Sequence, residues 1–513
     1  MSRRTARTSF VVALLAIVGA LAVALAPDSG TGAPEFVDVD DRAPDGSTPL
    51  QWAVYEVDVA EVERLLEAGA DVSLENRYGV TAMELASEIA HTGILALLLE
   101  AGADADSPNP DGQTALMAVA RTGNIEAAEL LLDHGATVDA RESWGGQSAL
   151  MWASARRHPE MMQFLIDRGA SVDARSTHRD YQRHVTAEGR PKNLDSGGFT
   201  PLLYAVREYC MECVDVALAN GADINRPDPD GVSPLHLAIM NSYWDIAKRL
   251  IEAGADVNQW DIYGQTPLFT IVGNYTRGGG GSAIDPLPRT EGREILDMLL
   301  ERGADPNTQV FFRPAGVRGS TNTRGSTPLI RAANGGDTEM IELLLEHGAD
   351  PTIYMADRQT PIHAVLAGRS REDQALELIR LFYTAGTDID VVALVNHREE
   401  VRGGSALHYA VRKRYQDVIR ELASWGIDMN LRDQDGLTAL DYTQSRGFMP
   451  FMALQTPLWE EEAALLRELG ATREMEEEPV WPVLGPPQGI WADIWPLGEP
   501  RVYEPVYTHI ADG

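Results

Sequence analysis

The sequence predicts an all-α fold assembled from about eleven helix-turn-helix repeats, and three observations predict it. A nine-residue phrase recurs with its Thr or Ser at positions 48, 81, 114, 148, 200, 233, 266, 327, 360, 405 and 438; six of the ten spacings are 33 and one is 34. A second apolar phrase follows each, such as "LLEAGADV", "LLDHGATV" and "LIEAGADV". Composition is that of a folded chain, 44% apolar and 23% charged. Length alone would suggest about three ordinary domains, but a fixed period marks a repeat array instead.

Each part of the repeat has a physical reason. In "GSTPLQWAV" (46–54) and "GVSPLHLAI" (231–239) the Thr or Ser caps a helix. Pro at the first helical position costs nothing, because that N–H is unpaired anyway. Leu and a small Ala let a short helix pack closely. A second apolar helix follows, ended by a Gly in the left-handed conformation. Asp/Asn-rich residues and another Gly turn the chain toward the next repeat. One helix pair cannot bury its own face, so the repeats must stack.

These eleven phrases, from about Pro44 to Thr472, resemble the ankyrin repeat family. The resemblance implies an elongated, curved α-solenoid with hairpin-like finger loops on its concave side. It also implies a protein-binding role, without naming the partner. The chain then divides into 1–26, a signal peptide or N-terminal anchor; 27–43, an acidic linker; 44–472, the repeat domain; and 473–513, a Pro/Trp-rich tail. Repeats five and six (198–262) keep the period and are expected to fold as one block.

The N-terminus carries Arg3, Arg4 and Arg7 before an apolar run from Phe10 to Ala26, with Ala22-Val23-Ala24 as a candidate cleavage site. This reads as a secretory signal, or as an uncleaved membrane anchor at the lower length limit for a spanning helix. An exported chain, periplasmic or extracellular, is expected, with membrane contact only through that segment. The net charge of −34 argues against nucleic acid and anionic membranes as partners. A monomer is expected.

The interruptions of the period suggest where a partner binds. Three extensions fall at finger positions. The first, "STHRDYQRHVTAEGRPK" (176–192), carries Arg179, Tyr181, Arg183, Arg190 and Lys192. The second, 308–325, carries Phe311, Arg313 and Arg318; the third is 391–404. Two more (273–290 and 446–458) fall between the helices of one repeat. Basic loops in an acidic protein either meet a partner or pair with the chain's own acidic surface. Tyr78, Trp144, Trp260 and Tyr263 stand at finger tips, and Trp152 and Tyr204 on first helices, where inter-repeat packing is the simpler role. In the tail, Pro479, Pro482, Pro486 and Pro487 forbid a helix, and Trp481, Trp491 and Trp495 suggest a cover for the last repeat or a recognition segment.

Other motifs carry less. Cys210 and Cys213 form a CxxC at the start of a second helix, in core register with Ala127 and Ile246. They read as small buried residues or one local disulfide, too few for a zinc site. "DPDG" (228–231) and "DQDG" (433–436) lack the further ligands of a calcium loop and read as turns. His236, His363 and His408 are expected to make structural hydrogen bonds at the turn. With no catalytic motif and no cofactor expected, the chain reads as a non-enzymatic protein-interaction scaffold. An envelope spacer and an enzyme built from the insertions are the competing classes.

Overall fold

The computed structural model describes residues 36–178, 197–276, 289–310, 325–368, 370–394, 403–433, 436–443 and 459–472. Among them are twenty-two helices and no strands beyond isolated bridges at Ala393–Gly404 and Arg432–Thr438. The helices pair into eleven repeats, as the period predicts. The N-terminal segment 1–26 and the tail 473–513 lie outside the described residues.

The repeats form two compact units. The first holds repeats one to five, from Pro49–Tyr55 with Val59–Glu67 to Pro201–Arg207 with Met211–Ala219. The second holds repeats six to eleven, from Pro234–Met240 with Trp244–Glu252 to Ala439–Tyr442 with Glu460–Glu468. The boundary lies between Asp223 and Ile224, so 198–262 is not one block: repeats five and six belong to different units. The regular period between them carried no sign of this.

Within each unit, first helices pack on first helices and second helices on second helices. The Leu, Met or Ile two residues after each cap is the core anchor; Leu50, Leu116, Leu150, Leu202, Leu235 and Leu329 are all at most 1% exposed. Each such side chain contributes about 2 kcal/mol by burial. Ala53, Ala86, Ala153 and Ala205, five residues after the cap, are buried and keep the layers close.

The caps form as expected. Thr48, Thr81, Thr114, Thr200, Ser233 and Thr327 each accept the N–H three residues on. Ser148 makes no such bond, and its buried hydroxyl has no partner. After each second helix a glycine takes positive φ, as at Gly69 (86°) and Gly169 (96°). A Cβ at either would meet nothing within 4 Å, so the requirement is conformational, not steric. The turn between the two helices makes the same demand without glycine: Val57, Ala90, Arg157, Tyr209, Ser242 and Arg414 all have φ of 53–65°.

The first finger reaches back into the segment assigned to the acidic linker. Asp40 Oδ1 accepts the N–H of Asp71 at 3.0 Å, and Arg42 Nη1 donates to Glu75 O. The same rung recurs between later fingers: Asp139 accepts from Ser171 N and Asn258 from Asp305 N, both at 2.8–3.0 Å. The Asp/Asn richness of the fingers is therefore spent on joining each repeat to the next.

Candidate protein-binding surface

The finger tips are tight turns closed on one side-chain acceptor. Asn76 Oδ1 accepts from Tyr78 N and Val80 N, at 2.9 and 3.1 Å. Asp261 does the same for Tyr263 N and Gln265 N. In the fourth repeat a longer acid takes the role: the buried Glu142 carboxylate accepts from the N–H groups of Trp144, Gly145 and Gln147 at 2.6–2.9 Å. Two residues after the acceptor, Tyr78 and Trp144 stand outward on such turns. Trp144 is 65% exposed, Tyr78 56% and Trp260 37%; Tyr263 is half-buried. Tyr78 and Trp144 stand two fingers apart in the first unit, while Trp260 and Tyr263 share one finger tip of the second. "DPDG" is one of these turns, with Asp228 accepting from Asp230 N and Val232 N.

Arg179, Tyr181, Arg183, Arg190, Lys192, Phe311, Arg313 and Arg318 lie outside the described residues. The chain on either side of each finger extension is described, and it is pinned. Ser176 N donates to Phe199 O at 3.0 Å, and Phe199 N to Ser176 Oγ at 2.9 Å. Val310 N donates to Ser326 O at 3.1 Å, and Ala393 and Gly404 exchange both backbone bonds at 2.9–3.0 Å. All three insertions thus spring from closed two-residue stems.

The first helices contribute a second surface, most of which sequence reasoning missed. Side chains at the cap and along the first helix meet within and between repeats. Arg121 pairs with Glu88 and lies over the Trp152 ring, 5.3 Å from its centre. Arg207 lies 4.8 Å from the Tyr204 ring and 5.4 Å from Phe199, and holds Glu208 at 2.9 Å. In the second unit Arg331 covers Phe269, and Arg412 covers Tyr409 and Tyr442. Tyr204 is buried and its hydroxyl accepts from Gln147 Nε2 at 3.0 Å, which is the packing role expected of it. The sequence carried only the register of this surface: Arg121, Arg207 and Arg412 each stand seven residues after a cap, two helical turns along one face.

Glu84, on the first helix of repeat two, is mostly buried, and its Oε2 has no hydrogen-bond partner. Burial, with the like charge of Glu88 adding, pushes its carboxyl up to about 7.

The three histidines behave as structural groups. His363 and His408 each take the cap's N–H on Nδ1, from Thr360 at 3.3 Å and Ser405 at 3.1 Å. Nδ1 is therefore the acceptor, and the protonated Nε2 donates to the next repeat, to Gly404 O at 3.1 Å and Leu437 O at 3.0 Å. In repeat one Gln51 does the same work, accepting from Thr48 N and donating to Val80 O. His236 instead meets Thr270 Oγ1 at 2.7 Å. Burial pushes His236 and His363 down to about 4 and lowers His408 as well.

Cys210 and Cys213 form a disulfide. Both are buried, Cys210 as N-cap of its helix with Sγ accepting from Cys213 N. Of the two readings the sequence left open, the local disulfide is the one realised. Among the described residues no group of three His, Cys, Asp or Glu side chains is placed to hold a metal ion, and no helix is long and apolar enough to cross a membrane.

Comparison with known families gives a consistent result. A model described as ankyrin repeats (3 copies) matches residues 15–109, 85–176 and 182–275. One for ankyrin repeats (many copies) matches 318–364, and one for a single ankyrin repeat matches 402–434. No curated protein matches the chain. Among solved structures, the ankyrin repeat domain of Bcl-3, described as a unique member of the IkappaB protein family, is 26% identical. The match covers 50% of this chain and 99% of that one, with a TM-score of 0.38.

Proposed function

The chain belongs to the ankyrin repeat family, and from that premise we propose that it is a scaffold binding a partner protein through its finger loops and first helices. Ankyrin repeats generally mediate protein–protein interaction. The observation that carries the reading is the exposure of Trp144 and Tyr78 on rigid finger turns. Large aromatic side chains held in water by a fixed backbone are what an interface buries to most effect. The basic insertions supply the charged part of the contact, with Arg179, Arg183, Arg190, Lys192, Arg313 and Arg318 as cations and Tyr181 and Phe311 as apolar anchors. Trp260 and Tyr263 serve the same purpose in the second unit.

The compartment is part of the proposal. The basic and apolar N-terminus supports export, and a paired Cys210–Cys213 suits an oxidising environment. The test is a pull-down from an envelope fraction with the full chain, with a Trp144→Ala, Tyr78→Ala double variant, and with a chain whose 179–196 insertion is replaced by a short Gly/Ser link. The parent should retain a protein that both variants lose while melting like the parent. Identical captured sets from all three would reject this surface and favour the spacer class.

A further inference from the structure

Repeat four presents two polar groups, the indole N–H of Trp152 and the guanidinium of Arg156, that lack a hydrogen-bond partner among the described residues. Trp152 lies on its first helix, Ala149–Ala155, and Arg156 is that helix's C-cap. Four residues apart, they share one face. The indole N–H of Trp152 is buried without an acceptor. Arg156 is half-buried, and its guanidinium has no hydrogen-bond or ion-pair partner among the described residues. A buried indole N–H without an acceptor costs stability, and a half-buried guanidinium beside it is a ready partner for a carboxylate.

The surroundings say what is missing. Arg121 and Arg207, on the first helices of repeats three and five, are matched by Glu88 and Glu208. Arg156 feels Arg121 as a repelling neighbour and Glu208 and Glu88 as attracting ones. The face thus holds three guanidinium groups and two paired acids, with the unmatched cation in the middle. The first helices of repeats four and five also carry the rings of Trp152 and Tyr204, with Phe199 just before the latter helix, each under Arg121 or Arg207.

We propose that Arg156 and Trp152 form a carboxylate subsite that takes an Asp or Glu side chain from an acidic segment of the partner protein. The proposal rests on the protein-binding reading above and adds the partner's chemistry. Arg156 offers a planar fork to the carboxylate, and the indole N–H offers one further donor. Arg121, lying across the indole face, is a long side chain, and rotamer changes of such groups are the ordinary adjustment at interfaces. The rest of the chain, with a net charge of −34, repels an acidic segment placed elsewhere, so the charge pattern selects this position.

The probe is a fluorescein-labelled peptide alternating Glu with Leu, and a twin with Gln for every Glu. Binding to the full chain is read by fluorescence anisotropy. The Glu peptide should bind the parent about tenfold or more tightly than its twin, and should weaken with added salt. Arg156→Gln should lose about tenfold, and Trp152→Phe, which keeps the ring, a smaller factor. Arg156→Lys keeps the charge without the fork and should recover part of the loss. Arg420→Gln, on a second helix of the other unit, should bind like the parent. Failure of the Glu peptide to bind the parent, equal binding of the twin, or full binding by a folded Arg156→Gln chain would each overturn the subsite. If the peptide fails while the pull-down still retains a partner lost from the finger variants, the subsite alone is wrong; if both fail, so is the protein-binding reading.

Discussion

His363 ties its own repeat to the next: its Nε2–H donates to the carbonyl of Gly404, 41 residues on, at 3.1 Å, while Nδ1 accepts the N–H of Thr360. The Nδ1 bond needs the neutral ring, whereas the Nε2–H donor would survive protonation. A protonated His363 would lose the acceptor and place a charge in a buried site.

Stability should therefore fall in mild acid. His236 and His363 sit at about 4 in the folded chain against about 6.5 unfolded. Between those values the unfolded chain binds protons that the folded chain does not. The contribution is complete above about pH 6.5, declines as pH falls toward 4, and is on the order of 3 kcal/mol per ring. Urea unfolding across this range should show the slope. His363→Gln should fold normally at pH 7, because Gln51 already fills that position in repeat one, and should show a shallower slope than the parent.

Glu84 should act in the opposite direction. Its folded value of about 7 lies above the unfolded one, so the folded chain holds a proton the unfolded chain has released. That contribution is present below about pH 4.5 and lost as pH rises through 7. Glu84→Gln should be more stable than the parent at pH 8 by on the order of 2 kcal/mol, the difference vanishing near pH 4.5. A parent and variant with the same midpoint at pH 8 would contradict this.

The Cys210–Cys213 disulfide closes a very short loop, so its removal should be felt locally. Cys210→Ala with Cys213→Ala should cost about 1–3 kcal/mol. It should also speed hydrogen exchange within Met211–Ala219 and leave partner binding intact. Loss of binding by a folded double variant would give the pair a functional role.

Val57 is β-branched yet held at φ 60° in the turn between the first two helices, where it is 38% exposed. Left-handed backbone costs such a residue about 1–2 kcal/mol. Part of that gain is offset by the extra freedom glycine brings to the unfolded chain. Val57→Gly should still raise the melting temperature, and an unchanged or lower one would show that the side chain contributes packing the turn needs.

The sequence by itself determined what depends on neighbours a few residues away. Thr48 and its equivalents cap helices, Gly69 and its equivalents end them, and Leu50 and its equivalents anchor the core, because capping, left-handed backbone and helical periodicity are local physics. The repeat count, the helix pairs and the aromatic finger tips at Tyr78 and Trp144 were legible for that reason. The tertiary structure decided everything that acts between repeats. Arg121 could not be assigned to Trp152, nor His363 to Gly404, until the stacking placed residues some thirty to forty apart in contact. The pairing of Cys210 with Cys213 was also open in the sequence, and the division at Asp223 ran against the single block that the regular period predicted. The unpartnered indole N–H of Trp152 belongs to the same class, because a missing acceptor is visible only once the neighbouring side chains have been placed.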